Sequence, residues 1–272
     1  MDDQSAIPDI QMEQPRHKID VDAVGVKDII YPIEVEDREN KRQNTVAKIS
    51  MLVELPDHFR GTHMSRFIEI LHCYQQEFSL VNIDKLLHQI KQELQAAKAE
   101  IIINFPYFMK KAAPVSKVKS IMDYPCVFYG IDNGTEQQDF ILEVNVPVIT
   151  LCPCSKEISE RGAHNQRAVV KIQVRYREFI WIEELIELAE ANSSSPVYSL
   201  LKRSDEKYIT EHAYDHPCFV EDVVRSVSVK LLEDERVTWF KVECESFESI
   251  HNHSAYAVIE RDRRSAKVED IK

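Results

Sequence analysis

Apolar side chains fall along this chain in two rhythms, one of period two and one of period three to four. Alternation of Ile and Val with polar residues predicts strands at 26–36 (VKDIIYPIEVE) and 45–55 (TVAKISMLVEL). Pro32 marks the first as an edge strand or the seat of a bulge, because proline cannot donate to a ladder. The rhythm then changes. Phe67, Ile70, Leu71, Tyr74 and Phe78 share one face at helical spacing, and Ile83, Leu86, Leu87, Ile90 and Leu94 repeat the pattern in a second helix. Strands return near 100–111 and 118–131, and Asn133-Gly134 marks a tight turn.

After that turn the same order recurs. Strands are predicted at 137–151 and 167–178, and a helix at 180–191 with Ile182, Leu185, Ile186 and Ala189 on one face. The run NSSSP at 192–196 reads as a loop. A helix at 217–233 is opened by Pro217 and striped by Val220, Val223, Val224, Val227 and Leu231. Strands close the chain at 236–247 and 254–262. The pattern is ββααββ twice over. It predicts an α+β protein with antiparallel sheets and helices packed on one face. Residues 1–20 are expected as a flexible N-terminal arm, 21–133 as a first unit and 134–272 as a second.

Composition narrows the functional classes. With 34 basic and 46 acidic residues the formal charge is −12, which argues against a protein that coats nucleic acid. An anionic small substrate stays open, since a local pocket can be basic inside an acidic envelope. Five glycines offer neither a G-x-G pair nor a P-loop, so any nucleotide is bound without a glycine-rich cradle. No apolar run approaches the roughly 18 residues of a membrane span, and the acidic start MDDQSAIPDI is no secretory signal. Six cysteines in 272 residues are too sparse for a disulfide framework. A cytoplasmic protein with no membrane or nucleic-acid partner is the expectation.

Four stretches could carry chemistry. In LCPCSKEISERGAHNQR (151–167), Cys152 and Cys154 flank a proline. A C-x-C pair is poor geometry for a structural zinc site but suits one sulfur on a metal and one free. A short helix from Ser155 to Arg161 would place Cys154 at its positive end. The plain alternative is two ordinary thiols at a strand end. In ECESFESIHNHSA (243–255), His251 and His253 alternate past Asn252 and could share a pocket with Glu248 if the segment is extended. The alternative is a solvated acidic strand edge. In EHAYDHPCFVEDVVR (211–225), Glu221 and Asp222 suit a helix start, where the dipole favours carboxylates. A glutamate held there could also take two parallel hydrogen bonds from guanine. In HFRGTHMSRF (58–67), Arg60, His63 and Arg66 could meet a phosphate, or simply form a polar loop.

Taken together, CPCSKEISERGAHNQR, HPCFVEDVVR, ESFESIHNHSA and RGTHMSRF resemble the prokaryotic type IB GTP cyclohydrolases, over about residues 25–262. The resemblance implies the tunnelling fold, with two tandem ββααββ units per subunit. It implies a homotetramer with active sites at subunit interfaces, acting on GTP. The implied reaction takes GTP and water to 7,8-dihydroneopterin triphosphate and formate, at the entry to tetrahydrofolate and deazapurine synthesis. By the same resemblance Cys154 is the essential cysteine and His253 a proton-transfer residue. Glu221 anchors the guanine edge, while Arg60, His63 and Arg66 are candidates for the triphosphate. Cys152, His164, Glu206, Glu248 and His251 are the implied metal ligands or near-ligands. The metal is zinc, manganese or iron, and no redox cofactor is implied. Two other readings stay open: another tunnelling-fold enzyme such as a nitrile reductase, and a non-catalytic metal- or purine-binding regulator.

Overall fold

The computed structural model describes residues 10–74, 82–134 and 139–263. After a single 3-10 turn at Ile10–Met12, two long strands open the fold, β1 (Val21–Asp37) and β2 (Lys41–Leu55). Two helices follow, α1 (Met64–Cys73) and α2 (Ile83–Leu94), then strands β3 (Ala99–Ala112) and β4 (Lys119–Asp132). The remainder runs β5 (Asp139–Leu151), α3 (Pro153–Ile158), β6 (Asn165–Tyr176), α4 (Ile182–Ala191), β7 (Ser195–Pro196), α5 (Arg203–Asp215), α6 (Val220–Glu233), β8 (Val237–Ser246) and β9 (Ala255–Asp262).

The strands order as β1-β2-β3-β4-β5-β6-β8-β9, with the two-residue β7 paired to β5. The β2–β3, β5–β6, β6–β8 and β8–β9 ladders are all antiparallel. The α+β expectation is met. β1 lies at the end of the order, the first of the two alternatives that Pro32 left open. Gly25 lets β1 approach β2 closely, because a Cβ there would sit 2.0 Å from the Met51 carbonyl oxygen.

Contacts divide the chain into two compact units. The first holds residues up to Val35, Asn44–Phe105 and Phe128–Phe140. Its core joins Phe67, Ile70 and Leu71 of α1 and Leu86, Leu87 and Ile90 of α2 to Ile49, Met51, Ile101 and Ile103 of the sheet. The second holds Glu36–Gln43, Pro106–Val127 and the chain from Ile141 onward. There the period-two pattern of β6 buries Ala168, Val170, Ile172 and Val174, and helix α6 packs Val223, Val224, Val227 and Leu231 over β8 and β9.

The second half departs from a plain ββααββ order in three places. Helix α5 was not expected at all. Helix α6 begins at Val220 with Phe219 as N-cap, so Pro217 precedes it rather than opening it. The 192–196 loop carries the two-residue strand β7. Phe78, residues 137–138 and the first nine residues of the expected arm lie outside the described residues.

Candidate active site

Three neighbouring strands of the second unit end at one edge, and each delivers two residues at i and i+2. β5 supplies Thr150 and then Cys152 just beyond its end. His164 precedes β6 and Gln166 follows at its start. β8 ends with Ser246, and Glu248 comes two residues later. Alternation of side chains along a strand puts each such pair on one face. The ladders then bring the pairs together, with Thr150 opposite Gln166 and Ala168 opposite Ser246.

The polar contacts are closely linked. Gln166 Nε2 donates to Glu248 Oε1 at 3.2 Å and to Thr150 Oγ1 at 3.3 Å. Ser246 Oγ donates to the same Glu248 oxygen at 3.2 Å and lies 3.1 Å from Thr150 Oγ1. His164 Nδ1 is 3.0 Å from Gln166 Oε1 and 3.9 Å from Glu248 Oε2. The His164 and Glu248 side chains are only 14% and 12% exposed.

Cys152 joins this group through Ser155. It is the N-cap of α3, and its sulfur accepts the Ser155 N–H at 3.4 Å. Ser155 Oγ donates to the Cys152 carbonyl and accepts the His164 N–H, at 3.1 and 3.2 Å. The Cys152 N–H donates to the His164 carbonyl at 3.1 Å. The expected helix therefore starts two residues early. Pro153 occupies N1, where a missing N–H costs nothing, and Cys154 sits within the first turn, exposed. Of the other thiols, Cys73 is exposed, Cys218 is half-buried, and Cys126 and Cys244 belong to the core. Burial pushes Cys218 up and Cys244 up to about 12, and holds Cys126 higher still.

The other sequence candidates lie elsewhere. Glu206 is exposed in the first turn of α5, next to Asp205, which is fully buried. The Asp205 carboxylate takes hydrogen bonds from the N–H groups of Val115, Ser116 and Lys202 and from Ser116 Oγ, at 2.6–2.9 Å. Burial alone would raise its pKa, but these four donors hold it well below the usual carboxylate range. Glu221 is exposed in the first turn of α6; Asp222, not Glu221, caps that helix through the Phe219 N–H at 3.0 Å. His251 and His253 lie in a bend between β8 and β9 rather than an extended run, with rings stacked 5.3 Å apart. Both are exposed.

Arg60, His63 and Arg66 fall in the first unit. Arg60 pairs with Glu13 at 2.9 Å, His63 is the N-cap of α1, and Arg66 Nη1 caps the Glu93 carbonyl at 2.8 Å. Among the described residues, no group of three or more His, Cys, Asp and Glu side chains converges as a metal cage. What converges is the His164–Glu248 pair, with Cys152 tied to it. Sequence reasoning missed Thr150, Gln166 and Ser246, although each stands two residues from a candidate it did name.

A family model described as type I GTP cyclohydrolase folE2 matches residues 7–257. The chain belongs to that family. It is 55% identical over 262 residues to GTP cyclohydrolase FolE2 of Geotalea uraniireducens, covering 96% of each protein. The FolE2 protein of Geobacter sulfurreducens is 54% identical, covering 96% of this chain and all of that one. That of Magnetococcus marinus is 52% identical, over 96% and 98%. The match is thus to FolE2 specifically, where the sequence motifs carried the type IB label. Among solved structures, uricase from Arthrobacter globiformis superposes with a TM-score of 0.53 at 8% identity, over 91% of this chain and 95% of that one. Urate oxidase from Bacillus subtilis gives 0.51 at 9% identity, over 90% and 100%. These likenesses are of fold, and the fold is the tunnelling fold. No helix among the described residues is long and apolar enough to cross a membrane.

Proposed function

We propose that this FolE2-family enzyme, read as type IB, takes GTP and water to 7,8-dihydroneopterin triphosphate and formate, the first step of folate biosynthesis. The observation that carries the reading is the family match over residues 7–257, with the His164–Glu248 pair at a sheet edge to which the backbone of Cys152 is tied through Ser155.

The reaction adds water across an unactivated ring carbon of guanine, C8, and breaks its bonds to nitrogen. The donor types at the sheet edge fit a divalent cation. An imidazole nitrogen, a carboxylate oxygen and a sulfur suit zinc, manganese or iron, and each donor is steadied by a further hydrogen bond. Cys152, His164, Glu206, Glu248 and His251 are the candidates to hold the ion, of which only His164 and Glu248 approach each other within one chain. When bound, such an ion supplies Lewis acidity toward water near neutral pH. The chain's own groups do the rest. Glu221 accepts the guanine N1–H and exocyclic amine, which orients the ring and selects guanine, because a base lacking those donors leaves the carboxylate unpaired. Cys154 and His253 move protons to the departing nitrogen and during formate release. Arg60, His63 and Arg66 are the candidates for the triphosphate.

We read the protein as a cytoplasmic homotetramer with its sites completed by neighbouring subunits. Exposed apolar side chains near the candidate residues support this: Ile158 is 84% exposed, Ile250 65% and Phe247 49%. A second copy of the chain would cover them.

GTP turnover by the purified protein, read as pterin fluorescence after oxidation, tests the reaction. It is run as isolated, after chelation, and after adding back manganese or zinc, with Cys154→Ala alongside. Metal-dependent pterin lost in the variant is expected. No pterin with any metal sinks the assignment and turns attention to NADPH-dependent reduction or simple purine binding.

A further inference from the structure

The serines of the 192–196 run each hold a separate bond. Ser193 Oγ donates to the Glu190 carbonyl near the end of α4, 3.0 Å away, and Ser195 pairs with Ile149 in β7. Ser194 between them is 0% exposed. Its Oγ accepts the Leu151 N–H at 3.0 Å and lies 3.1 Å from Cys218 Sγ. Leu151 is itself 2% exposed, so bulk water is no substitute for the hydroxyl.

The place of this bond gives it a consequence. β7 pairs with β5 at Val148 and Ile149, and Ser194 carries the pairing on to Leu151 with a side chain in place of a backbone carbonyl. The Leu151 carbonyl then accepts the Cys218 N–H at 3.1 Å. Leu151 is thus gripped by two segments at once, the 194 loop and the chain entering α6. Cys154 comes three residues after Leu151, and Glu221 comes three residues after Cys218, in the first turn of α6. Helix α3, which carries Cys154, buries none of its residues, so apolar packing does not place it.

We propose that Ser194 is a positioning residue for the cyclohydrolase reaction: by joining Leu151 to Cys218 it fixes the spacing between the thiol turn and the carboxylate at the start of α6. This rests on the roles proposed above for Cys154 and Glu221, and adds what sets their separation. With the hydroxyl gone, guanine still docks at Glu221, but Cys154 meets it out of place.

The test uses the full-length enzyme with manganese in excess, so that cation affinity does not limit turnover. Hydrogen exchange on overlapping peptides across 148–156 follows the Leu151 amide. In the wild type that amide should be protected, and in Ser194→Ala it should exchange faster by about tenfold or more, as loss of a buried hydrogen bond predicts. The kcat for GTP should fall about 10- to 100-fold with KM within about threefold, the signature of a misplaced reacting group rather than lost binding. A merely structural serine would lower the Tm and leave kcat alone. A freely exchanging Leu151 amide in the wild type overturns the proposal, even if the alanine variant fails to fold. So does a wild-type kcat in folded Ser194→Ala, or a rise in KM that accounts for the whole loss. Cys154→Ala and Glu221→Gln run alongside. If either keeps wild-type turnover, the site reading falls and the role of Ser194 with it. If both lose turnover while Ser194→Ala keeps it, only the role of Ser194 is lost.

Discussion

Residues sharing one carboxylate chemistry are put to different uses by their neighbours. At the start of α6, Asp222 is spent on the helix cap, and Glu221 beside it is left facing solvent. Glu221→Gln keeps the shape but loses the charge proposed above to take two guanine donors. Hydrogen bonds to a charged partner contribute about 1.5–3 kcal/mol. The variant should therefore lose roughly ten- to a hundredfold in kcat/KM for GTP, with manganese affinity unchanged. Equal kcat/KM in the two proteins would remove Glu221 from the guanine site. A second case is buried. Lys111 Nζ lies 2.5 Å from Glu190 Oε1, which also takes the Tyr124 hydroxyl at 2.9 Å. Desolvation outweighs the Glu190 charge and lowers the Lys111 pKa. Truncating Glu190 to Ala leaves the buried ammonium with the Val197 carbonyl and the Tyr198 ring but no counter-charge, and urea unfolding should show a loss of about 3 kcal/mol.

Elements held by apolar stripes were legible in the sequence, and elements held by polar anchors were not. Helices α1, α2, α4 and α6 announce themselves through buried residues at three- and four-residue spacing. Helix α5 buries only Ile209, Ala213 and Asp205, and its placement depends on the four hydrogen bonds to Asp205. No apolar periodicity reports such an anchor. The start of α3 was misread for a related reason, since its cap is a sulfur rather than the usual hydroxyl or carboxylate. Another polar anchor ties α4 to the turn before β8. Arg236 pairs with Glu184 at 2.6 Å and Asp234 at 2.7 Å. Hydrogen bonds from Arg236 hold both carboxyls below their ordinary values of 4.5 and 3.8. Folded pKa values below the unfolded ones give a contribution that is full above about pH 5 and fades as acid protonates the folded carboxylates. Arg236→Met should cost about 1 kcal/mol at neutral pH, in keeping with a partly exposed cluster. The gap in Tm between the two proteins should close on acidification below pH 4. A gap independent of pH would assign the loss to packing instead.

For the molecule as a whole, the motifs named the family, but the candidate ligands do not all meet in one chain. His164, Glu248 and Cys152 are linked, whereas Glu206 and His251 are exposed on other segments, in α5 and in the bend after β8. Spacing along a sequence reports which residue types are present, not which of them the fold brings together. Ile158→Asp and Ile250→Asp place charge on the surface read here as an interface. Sedimentation should show a smaller species with native circular dichroism and little GTP turnover. A variant that stays assembled and active would separate that surface from oligomerisation.

The pairing of i and i+2 residues on three strand ends has a consequence for how the protein acquires activity. Side chains on a strand reverse face with each single step. If β6 slipped by one residue against β5, His164 and Gln166 would turn away together, and the bonds to Thr150 and Glu248 would go with them. No half-correct register retains half a site. Refolding should therefore yield inert and fully competent chains with nothing of intermediate turnover, so the site doubles as an inspection of the sheet that carries it.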